Sequence, residues 1–151
     1  MDQLDKRILA ELTKDADQTI EQIAANVCST VPTVHRRIKR LKRDGVIERT
    51  VAIVRLPESG RGITVVVGVV VKSQKPKDQT EFRKFIKRNE NIRLAWMTTG
   101  EFDYVLVAVF PDTDSYYRFV DRELIKSVNF SNFRTFVSLG EIKFDTAPLI
   151  R

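Results

Sequence analysis

Between Thr30 and Arg43 the chain carries six cations (Arg36, Arg37, Lys39, Arg40, Lys42 and Arg43) and no acid. Few folds accommodate such a segment. Val31, Val34, Ile38 and Leu41 recur at steps of three and four, the spacing that lays side chains along one side of an α-helix. Arg36, Lys39, Arg40 and Arg43 fall opposite that stripe, flanked by Thr33 and Arg37. Thr30 stands where an N-cap hydroxyl accepts a free backbone N–H, and Gly45 where a helix ends in a left-handed residue. Solvated helix faces usually mix both signs. Here Arg36 and Arg40 lie four apart, a like-charge spacing that destabilises a helix unless a polyanion relieves it. The segment therefore predicts a helix that rests on a small core and faces phosphates.

The residues before it complete a recognisable unit. Thr19 and Gln22 have the capping-box spacing, and Ile20, Ile23, Ala24 and Val27 continue with a second apolar stripe. Only Cys28-Ser29 separates that stripe from Thr30, so the two helices turn sharply. Upstream, Leu4, Ile8, Leu9 and Leu12 mark a first amphipathic helix that ends before Asp15-Ala16-Asp17. Three short helices with a tight turn before the cationic one form a helix-turn-helix, whose second helix enters the major groove. Val46 to Val54 is rich in β-formers and reads as a wing or a strap.

Hydrophobic content of 42% in 151 residues supports a core. A net charge of +6 and a pI near 9.6 favour an anionic partner without separating DNA, RNA and lipid. The start MDQLDKR has no signal-peptide character, and the run Val65 to Val71 is too short to span a bilayer. A lone cysteine, Cys28, forms no internal disulfide, which suits the cytoplasm; it reads as a small buried residue.

Pro57, Gly60 and Gly62, in the stretch Leu56-Pro57-Glu58-Ser59-Gly60-Arg61-Gly62, break both periodicities and mark a boundary. Beyond it, Ile63 to Lys72 is a valine-rich strand apolar on both faces, hence central or covered. Lys77 to Asn89 reads as a helix with Phe82, Phe85 and Ile86 inward. Ile92 to Thr99 and Asp103 to Phe110 form strands joined at Gly100-Glu101-Phe102. Asp112 or Thr113 caps a further helix burying Tyr116, Phe119, Val120, Leu124 and Ile125. Phe130 to Phe144 makes a last long strand, interrupted at Gly140. The order βαββαβ is ferredoxin-like. The fold class is α+β: a (winged) helix-turn-helix domain over residues 1–50, a strand or linker over 51–62, and a ferredoxin-like domain over 63–151.

With these elements in place, the chain resembles the Lrp/AsnC (leucine-responsive, feast/famine) regulators along essentially its whole length. The matching residues are Leu4-Asp5 with Ile8-Leu9, the run Arg36 to Ile47, the hairpin Thr99-Gly100-Glu101-Phe102-Asp103, and the tail Thr135, Ile142-Lys143 and Ala147-Pro148-Leu149. Two departures stand out. Asp15-Ala16-Asp17 replaces an Asp-Gly-Arg-like turn, and Cys28-Ser29-Thr30 replaces the usual Gly-Leu-Ser before the recognition helix. The resemblance implies a transcription regulator whose second domain dimerises and senses an amino acid or related metabolite, with dimers assembling to tetramers or octamers. The residues themselves suggest no cofactor, metal or membrane partner.

On that reading Thr33, Arg36 and Arg37 meet base edges, arginine gripping guanine and threonine a thymine methyl. Lys39, Arg40 and Arg43 bind phosphate, with Thr30 at the helix start and His35 at the edge of the face. The resemblance also places an effector near Thr99, Gly100, Glu101 and Asp103, with Thr135 adding a hydroxyl. Read without it, Gly100 only makes the turn and Asp103 caps it.

Other classes fit less well. An RNA-recognition motif needs exposed aromatics on its central strands, whereas the first strand is aliphatic and Glu101 and Asp103 intrude on the hairpin. Haem-pathway decarboxylases resemble the same family but rely on histidines, and the only histidine, His35, lies on the cationic helix. No nucleophile–base pair or metal-spaced cluster suggests an enzyme. The nearest competitor is an architectural DNA-binding protein of the same fold with little sequence preference and no effector.

Overall fold

A computed structural model of the chain describes residues 1–54, 57, 60–126 and 129–145. It contains two compact units, one built on Met1–Val54 and one on Arg55–Ile142.

The first unit is three helices: α1 (Gln3–Lys14), α2 (Ile20–Asn26) and α3 (Val31–Arg43). Both early helices start on reciprocal capping boxes. Asp2 accepts from the Asp5 amide while Asp5 accepts from that of Asp2, and Thr19 and Gln22 exchange the same bonds. Ile8, Ile23, Ala24, Val27, Val34 and Ile38 are buried together, with Leu4, Leu12, Ile20 and Ile47 packed around them. Burying such a side chain contributes about 1.5–3 kcal/mol, which offsets the poor intrinsic stability of helices this short. Val31 departs from the expected stripe. At the first helical position it is 37% exposed, and the buried stripe begins at Val34.

The turn between α2 and α3 shows how a missing glycine is replaced. The Ser29 amide bonds the Ala24 carbonyl at 2.9 Å and the Cys28 amide bonds that of Ala25 at 3.2 Å. This is the six-to-one and five-to-two pattern of a Schellman ending. Cys28 occupies its left-handed position at φ 51°. Helix α3 ends the same way, with Gly45 at φ 73° and Val46 bonded to Leu41. Cys28 is exposed, contrary to the sequence expectation, because a residue at that position points away from the helix it terminates.

Residues 48–54 form no strand. The β-formers Val51, Ile53 and Val54 are 64–71% exposed, since no neighbouring strand offers them a ladder. Among the described residues this segment, read from sequence as a wing or a strap, pairs with no strand.

The second unit is β1 (Ile63–Val71), α4 (Pro76–Arg88), β2 (Ile92–Met97), β3 (Tyr104–Phe110), α5 (Thr113–Phe119) and β4 (Phe130–Val137). The sheet runs β2-β3-β1-β4 with every pair antiparallel, so β1 is central, as its valines require. Val65, Val67, Val69 and Val71 face the helices and pack with Phe82, Phe85, Leu106, Phe110 and Phe119. After α5 the helix continues as a π turn over Val120–Leu124, with the Ile125 amide bonded to the Val120 carbonyl at 3.0 Å. The wider turn rotates Ile125 off the buried side, leaving it 50% exposed against expectation. Strand β4 also stops early, at Val137; Leu139 and Ile142 are fully exposed. The tail residues Ala147-Pro148-Leu149 lie outside the described residues, as do Leu56, Glu58 and Ser59 of the boundary.

Candidate nucleic-acid interface and effector hairpin

The structure separates the cations of α3 into two groups. His35, Arg36, Lys39, Lys42 and Arg43 are exposed, and Arg43 pairs at 3.0 Å with the adjacent exposed Asp44. Arg37 and Arg40 turn instead towards the start of α1. One Arg40 nitrogen lies 2.7 and 2.6 Å from the two carboxylate oxygens of Asp5. Arg37 donates to Asp5 at 3.0 Å and also to Asp2. Asp5 is 1% exposed, whereas the Arg37 and Arg40 side chains are 22% and 41% exposed. Acids missing from the cationic segment are thus supplied across space to two of its six cations, Arg37 and Arg40, which reduces the self-repulsion left for a partner to relieve.

Electrostatics agree. The bond from Arg37, with that from the Asp5 amide, lowers the Asp2 carboxyl to about 2. Burial pushes Asp5 up, but the Asp2 amide, the Arg37 bond and the Arg40 charge together hold it below the usual carboxylate range. Asp2 in turn raises Arg37. Asp5 therefore ties α1 to α3 as a carboxylate held ionised below its usual range, and its two arginines are struts before they are contacts.

At the start of α3, Thr30 is the N-cap residue, but its hydroxyl makes no cap bond. It donates to the Thr33 hydroxyl at 2.9 Å. This differs from the expected capping role and leaves the first turn of α3 without a side-chain acceptor, the arrangement in which helix N-termini accept anions. Lys42 is not among the expected contacts, although it too is exposed. Asp2 and Asp5 were missed too; the Asp-x-x-Asp capping spacing was the available signal.

In the second unit the hairpin Thr99–Asp103 folds over the open face of the sheet. Phe102 lies on Gly68, where an added Cβ would sit 2.6 Å from its ring. Arg134 stacks 5.9 Å from the same ring and pairs with Glu101 at 3.2 Å. Thr99 and Gly100 are exposed, and Gly100 has φ 114°. Asp103 accepts from the Val71 amide at 2.9 Å and from Gln74 at 2.8 Å, so its carboxylate closes the end of β1. Thr135 pairs in register with Val67 on the helix-covered face, and its hydroxyl bonds that of Tyr116. Within one protomer the structure does not bring Thr135 to the hairpin; they occupy opposite faces of the sheet.

Comparison with known proteins fits this architecture. Residues 64–148 match the Lrp/AsnC ligand binding domain, and residues 1–48 match a winged helix-turn-helix DNA-binding domain. The chain belongs to the Lrp/AsnC family. A relative from Pyrococcus horikoshii, described as an HTH-type transcriptional regulator, is 30% identical over 98% of this chain and 99% of its own. The AsnC family transcriptional regulator of Agrobacterium tumefaciens is 27% identical, with a TM-score of 0.87 over 97% of this chain and 95% of that one. A Neisseria meningitidis regulator solved as an L-Met complex has a TM-score of 0.88 at 22% identity, covering 98% and 96% of the two chains. That last likeness concerns the fold. As an Lrp/AsnC protein the chain is a transcriptional regulator with a DNA-binding and a ligand-binding domain, and the family is one of regulators rather than enzymes. Among the described residues no helix is long and apolar enough to cross a membrane.

Proposed function

We propose that this Lrp/AsnC protein is a cytoplasmic, sequence-specific DNA-binding regulator that responds to an amino acid or a related metabolite. The supporting observation is the exposed face of α3, where Arg36, Lys39 and Arg43 stand clear of the ion pairs that absorb Arg37 and Arg40. Arg36, with Thr33 and His35, reads base edges. Lys39, Lys42 and Arg43, with the first turn at Thr30, hold phosphate. Arg37 and Arg40 set the angle of the helix, and their remaining donors reach the backbone only where the ion pair leaves them free.

The protein works as a homodimer, which associates further. Val66, Val107, Leu94 and Phe136 share one row of the open sheet face, and Trp96 and Val105 lie beside Gly68 in the next. Leu94, Trp96 and Phe136 are 49–53% exposed. Contiguous apolar surface of this kind suits a second copy of the chain, and a twofold pair doubles the readout on half-sites one helical turn apart. The effector site is the hairpin Thr99, Gly100, Glu101 and Asp103. Since Thr135 lies on the opposite face, it joins that site only from a neighbouring protomer. The Neisseria relative's L-Met complex makes amino acids the first ligands to try.

Gel-shift titration on the DNA upstream of the protein's own gene tests the reading, with excess random duplex present and each common amino acid added in turn. Retardation that survives competition and shifts with one amino acid is the expected result. Equal competition by random DNA would convert the protein into an architectural one.

A further inference from the structure

We infer that the cleft between α4 and the π turn of the ferredoxin-like unit is a phosphate-binding site. Its volume is about 280 Å³, room for an inorganic or small organic phosphate. Four cations line it, Lys84 and Arg88 from α4 and Arg122 and Lys126 from the π turn and the residues after it, against two acids.

Both acids are already engaged. Glu81 pairs with Lys84 at 2.9 Å, and Glu123 accepts from Asn89 at 2.7 Å. Arg88 is propped on the buried Phe85, its guanidinium 5.8 Å from the ring centroid. The side chains of Arg122 and Lys126 make no hydrogen bond or ion pair among the described residues. The cleft therefore carries twice as many cations as acids, and two of those cations are uncommitted donors. Two guanidinium forks and an ammonium group exceed the needs of a carboxylate but match the oxygens of a phosphate.

The backbone supplies a second, independent sign. The wall carrying Arg122 and Glu123 is the π turn Val120–Leu124. Such turns are rare and recur at functional positions. Here it holds Leu124 buried while Arg122 and Lys126 border the cleft.

Phosphate can reach this cleft from a free phosphorylated metabolite or from a duplex passing the unit. The full-length protein is titrated calorimetrically with inorganic pyrophosphate, alongside the double variant Arg122→Ala/Lys126→Ala and a control, Lys77→Ala, outside the cleft. Because the removed side chains are exposed, thermal melts of the three proteins should superimpose. Pyrophosphate should bind the wild type and the control alike, and the double variant roughly tenfold more weakly per side chain removed, about 1.4 kcal/mol each. Absence of binding at millimolar pyrophosphate, or equal binding by the double variant, overturns the inference. The salt dependence of random-duplex binding then separates the sources. A slope reduced by about 0.9 per lost contact identifies DNA phosphate, and an unchanged slope identifies a free phosphorylated ligand. A protein that takes pyrophosphate but retains no duplex would sink the regulator reading and leave the cleft standing.

Discussion

Asp5 in the first helix and Arg40 in the recognition helix form a fork, one guanidinium nitrogen 2.7 and 2.6 Å from the two oxygens of a carboxylate that is 1% exposed. Thirty-five residues of chain separate them. The pair converts a feature that looks like surplus positive charge into part of the small domain's internal support.

Asp5→Asn should therefore destabilise the N-terminal unit by about 2 kcal/mol, the scale of a charge-assisted hydrogen bond lost from a partly buried site. The full cost of a broken buried pair is not expected, because Arg40 regains water. A shift of the urea midpoint with an unchanged slope is the diagnostic result.

The same carboxylates set an acid limit. Asp2 titrates at about 2 instead of 3.8, and Asp5 is depressed in the same direction. A carboxyl lowered on folding contributes stability that is complete above its ordinary pKa and disappears as pH falls through the folded value. Thermal melts followed by circular dichroism should hold steady above about pH 5 and decline from about pH 4 towards 2. The double variant Asp2→Asn/Asp5→Asn should flatten that decline; an unchanged profile would remove these groups from the explanation.

On DNA, Lys39→Ala should lower the salt slope by about 0.9 and weaken all sequences alike. Arg36→Ala should cost about 1–3 kcal/mol at one base pair only. Arg40→Ala, expected from sequence to act like Lys39→Ala, should in addition lower the melting temperature, since it strips Asp5 of its fork. Binding titrations at several salt concentrations, paired with melts, separate the three behaviours.

Cys28 holds a left-handed conformation that costs an ordinary L-residue roughly 1–2 kcal/mol. Cys28→Gly relieves it, less the extra freedom glycine has when unfolded, for a net gain of about 0.5–1 kcal/mol. Cys28→Val should lose stability instead, because a branched Cβ fits that region worst. Equal midpoints for the two variants in denaturant titrations would contradict the assigned turn.

Gly68→Ala should dislodge Phe102, whose ring would stand 2.6 Å from the new methyl carbon. An overpacked contact of this kind costs about 1–3 kcal/mol. It should also alter the response to any ligand of the Thr99–Asp103 hairpin while DNA affinity without ligand is retained. Amide shifts of the hairpin residues, compared between wild type and variant, report whether the ring has moved.

Much of this was legible in the chain. Steps of three and four placed α1, α2 and α3, because each helix buries its stripe against the other two. The valines of β1, apolar on both faces, announced a central strand, since only a strand with neighbours on both edges buries so many. Turns were readable where their chemistry is local, as at Thr19-Gln22 and Gly45. The β-formers of residues 48–54 left a wing and a strap both open, because propensity makes a strand only where a neighbouring strand completes the ladder. Ile125 misled for a different reason: a π turn changes the period on which the stripe was counted.

What the amino-acid order determined, then, is everything carried by short-range periodicity and capping: the helix-turn-helix, the βαββαβ order and the location of the cationic segment. Tertiary structure alone decided how that segment is divided. Whether an arginine faces solvent or a carboxylate depends on which helix lies against it, and Asp5 meets Arg40 only once the core of Ile8, Ile23 and Val34 has closed. The same holds for Thr135 and the hairpin. Sequence spacing says nothing about which face of a sheet two distant residues share; the register of β1 with β3 and β4 settles it.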